Sequence, residues 1–290
     1  MIQRFNFYDI YGYLLPGLVL AALLVAPFSI AGGLAPPAHL ASAALAVVVG
    51  YVLGHFLQRF ADVWLPWTWW GVPTKRRLPS SHLLDPDATR LASEVKRQLA
   101  SKIQQKFHLD VGIDSDDPKK FDPVRQEAFL QCRRDLLNSD RAAYAEQFQG
   151  MYSMMRGFAC ALGCGAAFHA GIASALEFAF PRQLERSIWV LIAVWILVSI
   201  PSIPESGFTV WVERAVGMLV FWLLGMEAAW YIGAKPHFAR AALLIALGCV
   251  LLAFKSAKGF SYYAEIFAAT VYRDFLLDKP EKSAKSAKSA

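Results

Sequence analysis

The sequence predicts an all-α, polytopic helical membrane protein with a helical insertion on the cytosolic side. Three observations carry this expectation. The chain of 290 residues is 56% hydrophobic and only 18% charged, with a mean hydropathy of +0.35, whereas soluble domains carry about 25% charged residues. Half of the charges, 26 of 52, fall between Pro73 and Gly150, as 14 basic and 12 acidic residues. Outside that stretch, long apolar runs follow one another. Four cysteines exclude a dense disulfide scaffold. The near-balance of the insertion lacks the single-sign field of a duplex-DNA binder.

The elements follow in order. Ile10 to Leu34 holds no charged residue and is long enough to cross about 30 Å of hydrocarbon. It is too long for the apolar region of a signal peptide, and a second apolar segment, His39 to Phe56, follows at once. Trp64, Trp67, Trp69 and Trp70 then precede Lys75, Arg76 and Arg77. Tryptophans favour the headgroup layer and basic residues the cytoplasmic side, so the insertion and Arg4 are expected inside the cell. In the insertion, Leu91, Val95, Leu99, Ile103 and Phe107 form an apolar stripe at i+4 spacing, with Asp85 or Asp87 as an expected cap. Asp122-Pro123 reads as an N-cap followed by proline at the first helical position, opening a helix through Phe129, Cys132 and Leu136. A third helix with Tyr144, Phe148 and Tyr152 is expected to run on into the membrane.

Four further apolar segments are expected: Gly157–Leu176, Ser187–Ile200, Ala215–Ala234 and Ala239–Phe254. The count is therefore about six, alternatively four, because the fourth and fifth could dip into the bilayer without crossing it. The expected organisation is a membrane pair over 1–72, the insertion over 73–150, membrane segments over 151–258, an aromatic amphipathic helix over 259–278 and a disordered basic tail over 279–290. An even span count keeps both termini cytoplasmic.

The stretch from Tyr8 to Gly17 is the most informative. Asp9 stands at the entrance to the first segment, and Gly12, Pro16 and Gly17 follow within two turns. Proline removes an intrahelical hydrogen bond and strains the preceding turn, so this is expected to be a kinked helix start, and a hinge or gate if it moves. Glu227 lies inside the fifth apolar segment. A charge at a helix centre costs about 2.5–3.5 kcal/mol to insert, so Glu227 is expected to face protein or water as the second pore candidate, or to be interfacial if the span ends near Leu224. Gly50 and Gly54, and Gly163, Ala167 and Gly171, have the spacing of close helix seams, either within the chain or between copies. Arg76, Arg77, Lys96, Arg97, Arg133 and Arg134 are candidate ligands for phosphate groups of a nucleotide or oligonucleotide if they converge; a solvated face is the plainer reading. Cys160, Cys164 and His169 lack a fourth ligand, and the aspartates from Asp110 to Asp122 lack the EF-hand pattern, so no metal is expected. No phosphate-binding glycine motif and no nucleophile–base set is present, so neither an enzyme nor a cofactor is implied.

The entry Asp-x-x-Gly-Tyr-Leu-x-Pro-Gly, from Asp9 to Gly17, resembles that of a loose class of bacterial multi-pass membrane effectors found with phage-defence genes. The membrane effectors of Hailong-type systems are one candidate kinship within it. Met151 to Arg156 before the third segment and Val271 to Phe275 near the end fit the layout of that class. The resemblance implies an inner-membrane effector that self-associates and opens an ion-conducting path when a cytosolic nucleotide, oligonucleotide or protein signal changes. A non-conducting membrane adaptor and a small transporter are the alternatives.

Overall fold

The computed structural model describes residues 8–31, 40–64, 78–115, 117–139, 141–178, 208–232 and 236–277. Among them every regular element is helical. A π-helical turn, Asp9–Leu14, leads directly into α1, Leu15–Ile30. Then come α2, Leu40–Trp64; the short α3, Pro79–His82; α4, Ser93–Phe107; a 3-10 turn, Pro118–Phe121; α5, Asp122–Asn138; α6, Ala143–Phe178; α7, Phe208–Ile232; and α8, Pro236–Leu277.

Four of these stretches are long and apolar enough to cross a membrane: Asp9–Ile30, Ala43–Ala61, Ala143–Leu176 and Phe238–Leu277. This is the architecture of a helical membrane protein. α7 carries a shorter apolar stretch, Gly217–Ala229, and the expected segment Ser187–Ile200 lies outside the described residues. α6 and α8 have 36 and 42 residues, about 54 and 63 Å at 1.5 Å per residue. Each is far longer than the hydrocarbon layer alone requires.

The chain divides into two compact units. The first comprises residues 1–71 and 150–260 and holds α1, α2, α7 and most of α6 and α8. Here α6 is central: 89% of its most apolar stretch is buried, against 22% for each of the other three spans. The reason is compositional. Its buried face is built from Ala159, Ala161, Ala166, Ala167, Ala170 and Ala173 with Gly157, Gly165 and Gly171, so neighbouring backbones approach closely. Leu20 from α1, Leu57 from α2, Phe221 from α7 and Ala257 from α8 close around Cys160 and Cys164 in one cluster. By contrast α2 turns Leu45, Val48, Val52 and Phe56 outward, as a surface meant for lipid does, and α8 turns Leu244 and Leu251 outward.

The second unit comprises residues 72–149 and 261–290. Leu99 and Ile103 of α4, and Ala128, Phe129, Cys132 and Leu136 of α5, point into its core. The last turns of α8 complete it, with Phe267, Val271, Tyr272 and Phe275 buried. Phe129 meets the rings of Phe267 and Tyr272 edge-on at 5.7 and 5.6 Å, and Phe107 stacks on Phe275 at 5.5 Å. Burial and the nearby Asp135 push the Cys132 thiol up to about 12, so it stays protonated and inert at neutral pH.

Two expected caps differ from the structure. α4 begins at Ser93 after Ala92, with no side-chain cap, because Asp85 and Asp87 lie in the turns well before it, and the Asp85 carboxylate pairs with Arg125. α5 begins at Asp122 itself, preceded by Phe121, because the 3-10 turn before it already supplies the helical entry. The loop between them turns at Gly112, φ +55, whose N–H donates to Asp110 Oδ1 at 2.9 Å. A side chain there would strike the Phe121 ring.

Candidate functional site

α1 carries two prolines, Pro16 and Pro27, both buried. In an α-helix the carbonyl four residues earlier would receive the proline's N–H, which does not exist. By α-helical spacing the deprived carbonyls are those of Gly12, in the π turn that precedes α1, and of Leu23. In an apolar surrounding an unpaired carbonyl is costly, and here each is satisfied from another helix. Gln58 of α2 donates from Nε2 to the Gly12 oxygen at 2.7 Å. His169 of α6 lies with Nε2 3.1 Å from the Leu23 oxygen. Because a carbonyl only accepts, that contact requires the Nε2–H tautomer; Nδ1 has no partner among the described residues.

The first of these contacts is the richer one. Ahead of Pro16 the helix widens into the π turn, with the Leu15 N–H reaching back to Ile10, which eases the ring past the preceding carbonyls. The same Gln58 amide donates to the Ser153 oxygen of α6 at 2.8 Å, so one side chain ties three helical segments together. Arg156 Nη2 donates in turn to the Gln58 carbonyl at 3.2 Å. Glycines make the space. A Cβ on Gly157 would lie 2.6 Å from Pro16 Cγ and 3.1 Å from Gln58 Nε2. A Cβ on Gly17 would overlap the Gly50 carbonyl and sit 2.6 Å from the Gly54 nitrogen, and one on Gly54 would overlap the Tyr13 backbone. The Gly50–Gly54 seam is therefore occupied within the chain, by α1. Tyr13 covers this crossing, stacked on His55 at 4.0 Å and edge-on to Tyr8 and Tyr51 at 5.3 and 6.1 Å.

Of the entry residues expected to matter, Gly12, Pro16 and Gly17 are all buried at this crossing, and Asp9 is half-buried at the first residue of the π turn. The residues that hold them, Gln58, Ser153 and Arg156, were not singled out from sequence. A signal did exist: a Pro four residues after a Gly in an apolar run demands an outside donor, and Gln58 is a polar side chain close to the apolar stretch of α2.

Glu227 does not face the interior of its own chain. It is exposed on the outer face of α7, in line with Leu219, Val220, Leu223 and Leu224. The packed face is the opposite one, where Gly225 abuts the Phe168 carbonyl of α6, and Ala228 and Ala229 are buried. The small residues draw α7 against α6 on that side and leave Glu227 outward.

The basic candidates of the second unit do not form one patch among the described residues. Arg76 and Arg77 lie outside them. Lys96 is buried and donates to the carbonyls of Asp85 and of Ala88, the latter at 2.7 Å. Its pKa is lowered by burial, opposed by Asp85 and Asp87 and reinforced by Arg125. It is thus a structural cation rather than a free ligand. Arg133 donates to Gln149 at 2.8 Å and lies over the Phe267 ring; Arg97 and Arg134 are exposed. A groove of about 310 Å³ between α4 and the following loop is lined by Ala100, Ser101, Gln104, Leu109, Asp110 and Val111, none of them a basic candidate.

Sequence reading also missed the polar centre of this unit. Arg125, fully buried, donates to Val111 at 2.7 Å, to Gly112 at 2.9 Å, to Ser81 at 3.3 Å and to the Asp85 carboxylate at 2.5 Å. Tyr272 donates its hydroxyl to the Ser80 carbonyl at 2.9 Å, and Lys102 caps the end of α8 through the Phe275 carbonyl at 2.6 Å. His82, Asp85 and Asp87 bring possible metal-ligand atoms within 4.8 Å of one another, but Asp85 is already committed to Arg125.

The fold and this crossing define a helical membrane protein in which polar side chains of α2 and α6 pin a proline-interrupted first helix. Comparison with protein-family models, with curated proteins and with solved structures gives no match to the chain.

Proposed function

We propose that the protein is a gated, self-associating effector of the bacterial inner membrane, of the anti-phage type that its entry motif resembles, and that α1 is the gating helix. The observation that carries this is the pair of carbonyls, Gly12 in the π turn and Leu23 in α1, that lose their α-helical donor to proline and are each bonded by an exchangeable side chain. A bond to Gln58 or His169 can be broken and remade without unfolding α1, which a regular helix does not allow. α6 contains residues of both units, so a ligand or protein that rearranges the second unit, taken as cytosolic, acts on a helix to which α1 is pinned. The central α6 is enclosed by close crossings, so the conducting path belongs to an assembly of copies or to a state with α1 displaced.

A non-conducting anchor is the second reading. It is favoured by the aromatic core of the second unit, which suits a docking module. Expression in bacterial cells with a depolarisation-sensitive dye separates the two. Gln58→Leu, which releases α1, is expected to depolarise the membrane even if the native chain is held shut. A Gln58→Leu chain that inserts at native levels and leaves the potential unchanged would favour the anchor.

A further inference from the structure

The outer faces of α7 and α8 share a feature that lipid does not explain. Glu227 stands five residues before the end of α7, and Arg240 four residues after the start of α8. At 1.5 Å per residue the two charges sit about 7.5 and 6 Å from the helix ends that face each other in sequence. Ala228, Ala229 and Ile232 pack with Ala239 and Ala242 in one cluster, so the two ends run together and the charges occupy one level. Both are exposed, and neither has a hydrogen bond or ion pair among the described residues. Trp230 and Tyr231 follow Glu227; aromatic residues mark the interface, which puts the carboxylate about one turn inside it.

Inward from the charges, both faces are bulky and apolar. Leu223 and Leu224 are 48% and 50% exposed, and Leu244 and Leu251 are 68% and 71% exposed. Between the latter two stands Gly248, where an added Cβ would meet nothing within 4 Å. Gly17, Gly50, Gly54, Gly157, Gly165 and Gly171 abut another part of the chain; Gly248 leaves a notch facing outward. Small residues on a membrane helix admit a partner backbone. Ionisable residues within membrane segments pair with one another.

We propose that the α7–α8 face is the interface between copies of this chain, with Glu227 of one copy paired to Arg240 of the next and Gly248 receiving the partner helix. The inference rests on the self-association assumed above and names the surface responsible for it. Lipid tails cover the leucines, and headgroup phosphate or ammonium can meet either charge, but a protein partner holds a base and an acid at fixed positions opposite Glu227 and Arg240. A second copy supplies the base. Because each chain carries one acid and one base at the same level, a two-fold pair or a closed ring satisfies both charges of every copy. The outer face of α2, equally apolar along Leu45, Val48 and Val52, has no such pair of charges.

The test is the mass of the full-length chain in lipid nanodiscs, measured for the native protein, for Glu227→Arg, for Arg240→Glu and for the double swap. The native chain is expected as a multimer, each single reversal as predominantly monomer, with at least a tenfold loss of association, and the swap as a multimer again. A second variant, Gly248→Leu, meets no clash within its own chain and is expected to weaken association while the helical content is unchanged. A monomeric native chain overturns the inference, as do single reversals that leave the multimer intact, or a swap that inserts yet stays dissociated. Membrane potential read on the same variants separates the two proposals. A multimer that ignores the reversals but still depolarises cells sinks this interface and leaves the effector reading standing.

Discussion

Gln58→Leu is the most informative single substitution. Leucine keeps much of the bulk and removes both side-chain donors, at 2.7 and 2.8 Å, while the Arg156 bond to the Gln58 backbone survives. The two losses are unequal. The Ser153 carbonyl lies within α6, where the helix supplies its own donor, Gly157 N–H. The Gly12 carbonyl lacks its α-helical donor, because position 16 is proline. Leaving a buried acceptor unpaired costs about 1–3 kcal/mol, and interhelical hydrogen bonds in membranes reach about 1.7 kcal/mol. The expected loss is therefore about 1–2 kcal/mol, roughly a 5- to 30-fold shift toward the released state. A double-mutant cycle with Pro16→Ala isolates the cause. Alanine restores an N–H that can donate to the Gly12 carbonyl, so Gln58→Leu should cost about 1 kcal/mol less in that background. Reversible unfolding in mixed micelles measures all four proteins. Effects that add within about 0.5 kcal/mol would refute the claim that Gln58 replaces the donor proline lacks.

Three further outcomes follow from the same contacts. Arg125→Met strands the Asp85 carboxylate in the second unit's core and should destabilise that unit by about 3–5 kcal/mol, read as faster hydrogen exchange in α4 and α5; Asp85→Leu added to it should recover part of the loss. The depressed Lys96 pKa means that the folded chain releases this proton at a lower pH than the unfolded chain, whose ordinary value is 10.5. Between the two values the unfolded chain binds more protons, so stability should rise with pH through that window, and Lys96→Met should remove this slope. Gly17→Val drives its side chain into the Gly50 carbonyl of α2 and should abolish accumulation of the chain in membranes, which immunoblotting of fractions would show.

The helical membrane class was legible because it rests on long apolar runs, which composition and charge placement report directly. Pro16 and Gly17 were legible as an interruption for the same local reason. Their partners were not: Gln58 is 46 residues from Gly12, and Ser153 is 95 residues from Gln58, and only helix packing brings them together. The misplacement of Lys96 was avoidable. Lys96, Leu99 and Ile103 stand at i, i+3 and i+7 and share the buried face of α4, so the apolar stripe included a lysine. Arg125 belongs likewise to the stripe of Ala128, Phe129, Cys132 and Leu136. In both cases the charge hid the spacing. Glu227 shows the converse. Its insertion cost asked for protein or water as a neighbour; Gly225, Ala228 and Ala229 mark the packed side of α7 and the large residues mark the outer one, where Glu227 stands. Which side of a membrane helix is packed follows residue size more than polarity, since lipid is as apolar as leucine.

The central claim is that α1 gates an ion path and that Gln58 holds it in place. Ion flux from purified protein in liposomes tests it most directly, with native and Gln58→Leu chains inserted to the same density. A measurable flux is expected from Gln58→Leu, exceeding the native flux by about 5- to 30-fold, the population shift worked out above. Liposomes that stay ion-tight with both proteins, at verified insertion and helical content, would contradict it.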